Sequence, residues 1–120
     1  MSAEISSISQ KRMAYAEQMK AAVERIVTML SAMPDVEKVS LFGSYARGRA
    51  DLFTDLDVLV IMKTDKSFVD RLRMLYATLG VAVDMDLLCY TPEEFESLKE
   101  RPFLKRALAG EVVLYAKTTN

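Results

Sequence analysis

Apolar positions in the first quarter of the chain recur at helical spacing: Ala16, Met19, Val23, Ile26, Val27, Leu30 and Met33. They share one face of a helix predicted from about Ser9 to Ala32 and closed by Pro34. The methionines read as adaptable core filler along that stripe. A strand-like stretch follows at Val36 to Phe42. A second strand starts at Asp55 and runs through the unbroken apolar stretch Val58 to Met62, a pattern expected of a strand covered on both faces. Phe68, Leu72, Leu75 and Leu79 return to helical spacing, with Gly80 as the stop. Val81 to Tyr90 reads as a third strand. Thr91-Pro92-Glu93-Glu94 then supplies a cap, a proline at the first helical position and an acid at the third, so a helix begins there. Pro102 separates it from another helix at Phe103 to Ala109, and Gly110 precedes a last strand at Val112 to Tyr115. This alternation predicts one domain, 1–120, of the α/β (α+β) class, with a small mixed β-sheet flanked by helices.

Two polar interruptions of this pattern carry chemistry. Gly43-Ser44 follows the first strand, and ten residues later Asp55-Leu56-Asp57 opens the second. Residues i and i+2 of a strand point to the same face, so the two aspartates project together about 6.6 Å apart along the backbone. Carboxylates crowded in this way repel each other unless a cation lies between them. Magnesium suits that position, because it takes hard oxygen ligands and is usually held by one or two carboxylates plus substrate phosphates. Gly43 lets the chain turn with positive φ or lets a ligand approach the backbone. Ser44 offers a hydroxyl and a cap for a short helix, and Arg47 and Arg49 offer fork-shaped donors for phosphate oxygens. On the third strand Asp84 and Asp86 share a face, and either could join the pair if the two strands are neighbours.

Composition narrows the chemistry further. The 120 residues contain no histidine, which removes histidine bases, serine–histidine triads and histidine metal sites and leaves carboxylates for proton and metal work. Cys89 is the sole cysteine, so an internal disulfide and a cysteine zinc site are excluded, consistent with a cytoplasmic location. Sixteen basic residues against seventeen acidic give a net charge of −1, so no bulk attraction to nucleic acid or membrane is indicated. Residues 1–10 lack the apolar core of a signal peptide or anchor, and the apolar runs are too short to span a bilayer. Arg71, Arg73, Lys99, Arg101, Lys105 and Arg106 are expected to face solvent along helices.

Gly43-Ser44-Tyr45-Ala46-Arg47-Gly48, followed by Thr54-Asp55-Leu56-Asp57-Val58, resembles the signature of the minimal nucleotidyltransferases of the DNA polymerase beta superfamily. The likeness continues through Asp86-Leu87-Leu88-Cys89-Tyr90-Thr91-Pro92-Glu93-Glu94-Phe95 to Gly110-Glu111-Val112-Val113-Leu114-Tyr115. The resemblance implies the nucleotidyltransferase fold and a glycine–serine turn, here Gly43, Ser44 and Arg47, that binds the phosphates of ATP. It further implies catalytic carboxylates, Asp55, Asp57 and Asp86, that hold two Mg2+ ions, and it favours Asp86 over Asp84 as the third acid. Thr54 stands where serine is common in that family and keeps the hydroxyl. The short members resemble antitoxins that pair with HEPN-domain RNase toxins and transfer AMP to a toxin tyrosine, which implies a protein partner and a hetero-oligomer. Self-association is an additional expectation for so small a chain.

Other readings use the same residues. Strand-end acids can serve only to discourage edge pairing, and a glycine–serine pair can be a plain turn. The acceptor could be a small molecule of the aminoglycoside kind. The chain could also bind nucleotide without turnover as a partner of a second protein. An Asp-x-Asp motif holds metal and nucleotide sugar in glycosyltransferases as well, but the short chain and the upstream Gly43-Ser44 turn disfavour that assignment.

Overall fold

The computed structural model describes residues 3–49 and 54–118. The reading of residues 1–10 as neither leader nor anchor therefore falls partly outside the described residues. Helix α1 (Ala3–Ser31) leads into strand β1 (Val36–Phe42) and the one-turn helix α2 (Gly43–Ala46). Strand β2 (Leu56–Met62), helix α3 (Phe68–Leu79) and strand β3 (Met85–Tyr90) follow. Helices α4 (Pro92–Leu98) and α5 (Pro102–Ala107), a 3-10 turn (Leu108–Gly110) and strand β4 (Val112–Ala116) complete the order. The sheet runs β3-β2-β1-β4. β2 is parallel to β3 and antiparallel to β1, and β4 is antiparallel to β1, so the sheet is mixed as expected.

Strand alternation sorts the two faces. Leu56, Val58, Val60 and Met62 of β2 join Met85, Leu87 and Cys89 of β3 in the main core against Met19, Ala22, Ile26 and Leu30 of α1 and Leu75 and Leu79 of α3. On the other face Phe42, Leu59 and Ile61 meet Phe95 of α4, Ala107 of α5 and Leu108. Both faces of β2 are thus covered, which is why its apolar run is unbroken. Burying a leucine- or isoleucine-sized side chain of this kind contributes roughly 1.5–3 kcal/mol, so the α1 stripe fixes that helix on the sheet. Residues 7–14 of α1 are all exposed. The helix first meets the body at Tyr15, whose hydroxyl donates to the carbonyl of Thr54 at 2.6 Å.

The local signals act as expected at two helices. Gly80 adopts φ 50° and caps α3 by donating its amide to the Tyr76 carbonyl. Thr91 and Glu94 form a reciprocal capping box at the start of α4, with Pro92 in the first turn. Three expectations are corrected. The third strand starts at Met85 rather than Val81: the Leu56 amide donates to the Asp84 carbonyl at 3.0 Å, and because β2 itself begins at Leu56, residues further upstream have no strand to pair with. Ser44 does not cap α2. Phe42 holds the cap position without a side-chain bond, and Ser44 lies inside the turn. Arg71 does not face solvent. It is 6 % exposed and donates to the carbonyls of Lys66 and Cys89 and, in a forked pair at 2.7 and 3.2 Å, to the Glu94 carboxylate.

At the β3 edge the Tyr76 hydroxyl takes the place of a missing strand. It donates to the Met85 carbonyl at 2.7 Å and accepts from the Leu87 amide at 3.2 Å, which satisfies groups that would otherwise invite another chain to pair. Among the described residues no helix is long and apolar enough to cross a membrane.

Candidate functional site

Register decides which acids meet. In the parallel pairing of β2 with β3, Asp57 lies directly beside Asp86, and Leu56 beside Met85. Neighbouring strands are about 4.8 Å apart, so the two aspartates form a lateral pair on the face that also carries Leu59 and Leu88. Asp55 precedes β2 by one residue and is exposed. By alternation it lies on the same side as Asp57. On the opposite flank Phe42, the last residue of β1, pairs with Asp57. The α2 turn therefore starts beside the acids, and a stretch separated by ten residues in sequence is folded into a single ledge at one end of the sheet.

Gly43 is in contact with Asp57. Its φ is 72°, a left-handed conformation that disfavours side chains. A Cβ built on it would overlap Oδ2 of Asp57 and lie 3.0 Å from its Cγ. The glycine is thus required twice, by the turn and by the carboxylate packed against it. Arg47 closes the turn with its amide bonded to the carbonyls of Gly43 and Ser44, and its side chain is exposed, as is that of Arg49. The Tyr15 contact holds the carbonyl immediately before Asp55. That residue carries no sequence signal for the role, because its partner is thirty-nine positions away.

Electrostatics single out Asp57. Burial raises its pKa above the ordinary carboxylate value, and the charges of Asp86 and Asp55 raise it further. Asp57 therefore sits beside like charge, a condition that a bound cation relieves. Asp84 is not among the charges that act on Asp57. Among the described residues no group of three or more acidic or cysteine side chains converges as a ready-made metal cage. Asp57 and Asp86, side by side across β2 and β3 with no histidine or cysteine beside them, are hard oxygen donors of the kind magnesium takes, with water and substrate phosphate for the rest of its shell.

Two cavities lie away from the ledge. One of about 750 Å³ sits between Met33, Met62 and Met74 near the opposite end of β2, and one of about 320 Å³ is lined by Lys38, Ile61 and Phe95. Neither contains a member of the acid set. The ledge is the candidate site because the acids, the positive-φ glycine and the perturbed carboxyl coincide there.

Comparison with known proteins bears on the family and the fold. A protein of Methanocaldococcus jannaschii that carries the provisional name protein adenylyltransferase MJ0435 is 29% identical over 92 residues, covering 76% of this chain and 91% of the relative. A crystal structure of a provisionally named nucleotidyltransferase from Sulfolobus solfataricus superposes with a TM-score of 0.56 at 22% identity, covering 92% of this chain and 88% of that one. A toxin–antitoxin structure with AMP-PNP superposes with a TM-score of 0.53 at 20% identity, covering 80% and 74%. At these identities the two structures speak for the fold alone. Residues 22–109 match the family described as "Nucleotidyltransferase domain", a span that takes in the turn and all three acids, and the chain belongs to that family of nucleotidyltransferases.

Proposed function

We propose that this chain transfers AMP from ATP to a hydroxyl of a partner protein, and that the partner is a HEPN-type toxin whose tyrosine is the acceptor. The observation that carries the reading is the ledge itself: Asp57 beside Asp86 across two parallel strands, Asp55 next to them, and the Gly43-Ser44 turn packed against Asp57. The relative named as a protein adenylyltransferase supports a protein acceptor. The toxin–antitoxin assembly with AMP-PNP supports a partner and an adenine nucleotide.

In this reading Asp55, Asp57 and Asp86 would hold two magnesium ions, which would supply positive charge to the triphosphate and ease loss of a hydroxyl proton. Ser44 and the amides of the turn hold the β and γ phosphates, with Arg47 donating to phosphate oxygens from the end of the turn. Asp86 stands on the side from which the acceptor arrives. The acceptor oxygen forms a bond to the α-phosphorus and releases its proton to solvent water. The bond from that phosphorus to the bridging oxygen breaks, and pyrophosphate leaves. The protein contributes orientation and fixed charge, the main resources for phosphoryl-group chemistry.

The test is incubation with ATP labelled at the α-phosphate, magnesium and purified candidate toxins, comparing the wild type with Asp57→Asn. Label is expected on a tyrosine of the partner with the wild type and not with the variant. Equal labelling by the variant would overturn the assignment of Asp57. Label confined to an aminoglycoside would move the acceptor to the small-molecule class, and a variant that still neutralised a toxin would show that binding without turnover suffices.

A further inference from the structure

Asp57 stands on an inner strand, and its backbone is flanked by β1 on one side and β3 on the other. The other two acids lack that support. Asp55 lies one residue ahead of β2, outside the strand pairing of the described residues, and Asp86 is the second residue of β3, an edge strand with β2 alone beside it. At both places a tyrosine hydroxyl holds the backbone instead. Tyr15 of α1 donates at 2.6 Å to the carbonyl of Thr54, a residue 5 % exposed whose peptide leads into Asp55. Tyr76 of α3 donates to the Met85 carbonyl at 2.7 Å and accepts from the Leu87 amide at 3.2 Å, so one hydroxyl brackets Asp86 through both of its neighbours. Helices α1 and α3 pack in the main core with Leu56, Met85 and Leu87, the strand residues that alternate with the acids and face the other way. The tyrosines therefore grip the backbone from behind, and the side chains of Asp55 and Asp86 stay exposed.

We infer that Tyr15 and Tyr76 are positioning residues for the metal site: they fix the backbone that carries Asp55 and Asp86, and through it the placement of those carboxylates around Asp57. The inference rests on the reading of these acids as the metal-holding set and adds two residues that act through the ligands' main chain. A metal site needs its ligands held to within about 0.5 Å, and the bonds that support the ligands set that precision. The Tyr76 hydroxyl suits the task because it both donates and accepts, as a residue of a paired strand does. Replacing either tyrosine with phenylalanine keeps the ring and its packing and releases only the backbone next to one acid.

The experiment titrates Mn2+, which takes the same oxygen ligands as magnesium, into the nucleotide-free chain and follows the metal by electron paramagnetic resonance. Wild type, Tyr15→Phe, Tyr76→Phe and Asp57→Asn are compared, with circular dichroism melts and sedimentation in parallel. Wild type should bind and Asp57→Asn should not. Each phenylalanine variant should be folded at the assay temperature and bind about tenfold more weakly, the low end for loss of a residue that orients a metal ligand. Wild-type affinity in either variant, even with a lower melting temperature, overturns the positioning role of that tyrosine and leaves it a structural anchor. For Tyr76→Phe, unchanged affinity together with self-association would show that the hydroxyl only guards the β3 edge against another chain. Absence of binding by wild type, or wild-type binding by Asp57→Asn, would refute the ledge as a metal site and the positioning role with it.

Discussion

Replacing Gly43 with alanine tests the ledge most directly, because one methyl group perturbs both its backbone and its chemistry. At φ 72° an L-residue costs about 1–2 kcal/mol relative to glycine. The added Cβ would also overlap Asp57 Oδ2 and stand 3.0 Å from Cγ, where carbon contacts are ordinarily about 3.5–4.0 Å. The carboxylate must therefore retreat by about 1 Å. Its backbone cannot follow, since β2 is held by β1 on one side and β3 on the other. A misplacement of that size at a reacting centre costs on the order of 100-fold in rate. For a domain of this length a loss of 1–2 kcal/mol corresponds to a fall in melting temperature of roughly 4–10 °C. Gly43→Ala should therefore remain folded, melt several degrees lower and release pyrophosphate from ATP about 100-fold more slowly at saturating magnesium. Pyrophosphate release can be followed continuously while unfolding is measured in parallel by circular dichroism. A variant that kept the wild-type rate would refute the argument that Gly43 makes room for Asp57. A variant that lost activity only by unfolding would reduce the glycine to a turn former.

Three other outcomes follow from the same structure. Burial and the charges of Asp86 and Asp55 raise the pKa of Asp57, so its ionised form is a burden on the folded state, and stability from this group falls as pH rises from the unfolded carboxylate value through the raised folded one. Asp57→Asn should accordingly melt higher than wild type at neutral pH without metal. That advantage should vanish below the ordinary carboxylate range, and magnesium should stabilise only the wild type in thermal melts. Arg71→Ala removes the arginine donor from the Glu94 carboxylate and from the carbonyls of Lys66 and Cys89 and should cost roughly 2–3 kcal/mol in urea unfolding, at the low end for a broken buried pair because Glu94 keeps access to water and the bond from the Thr91 amide. Hydrogen bonds from Arg71 and from the Thr91 amide also hold the Glu94 pKa low. Wild type should therefore lose stability as pH falls through that depressed value, and the variant should lose less. Burial pushes the Cys89 thiol up to about 11, so it should resist a thiol reagent at pH 8 in the native state and react fully once unfolded, as colorimetric titration would show.

The sequence by itself determined the elements whose signals are local. The α1 stripe, the apolar run of β2, the Gly80 stop and the Thr91 capping box each depend on residues within a few positions of one another, and each stands where the pattern places it, although α1 itself begins at Ala3 rather than at about Ser9. The Gly43 turn and the Asp55 and Asp57 pair were legible for the same reason, since alternation alone puts two carboxylates on one face. Tertiary structure decided everything that depends on register and on which segments meet. Asp84 and Asp86 are equivalent by alternation, and only the pairing of β2 with β3 sets Asp86 beside Asp57 and makes it one of the charges Asp57 feels. Residues 81–84 have strand-like composition, yet a strand needs a partner, and β2 offers none before Leu56. Arg71 looks like any surface cation on a helix, but acceptors from three separate segments, at Lys66, Cys89 and Glu94, converge on it and make its burial affordable. The room left for Asp57 by Gly43 likewise exists only once separate strands are packed together, because an absent side chain has no pattern of its own until a neighbour occupies the space.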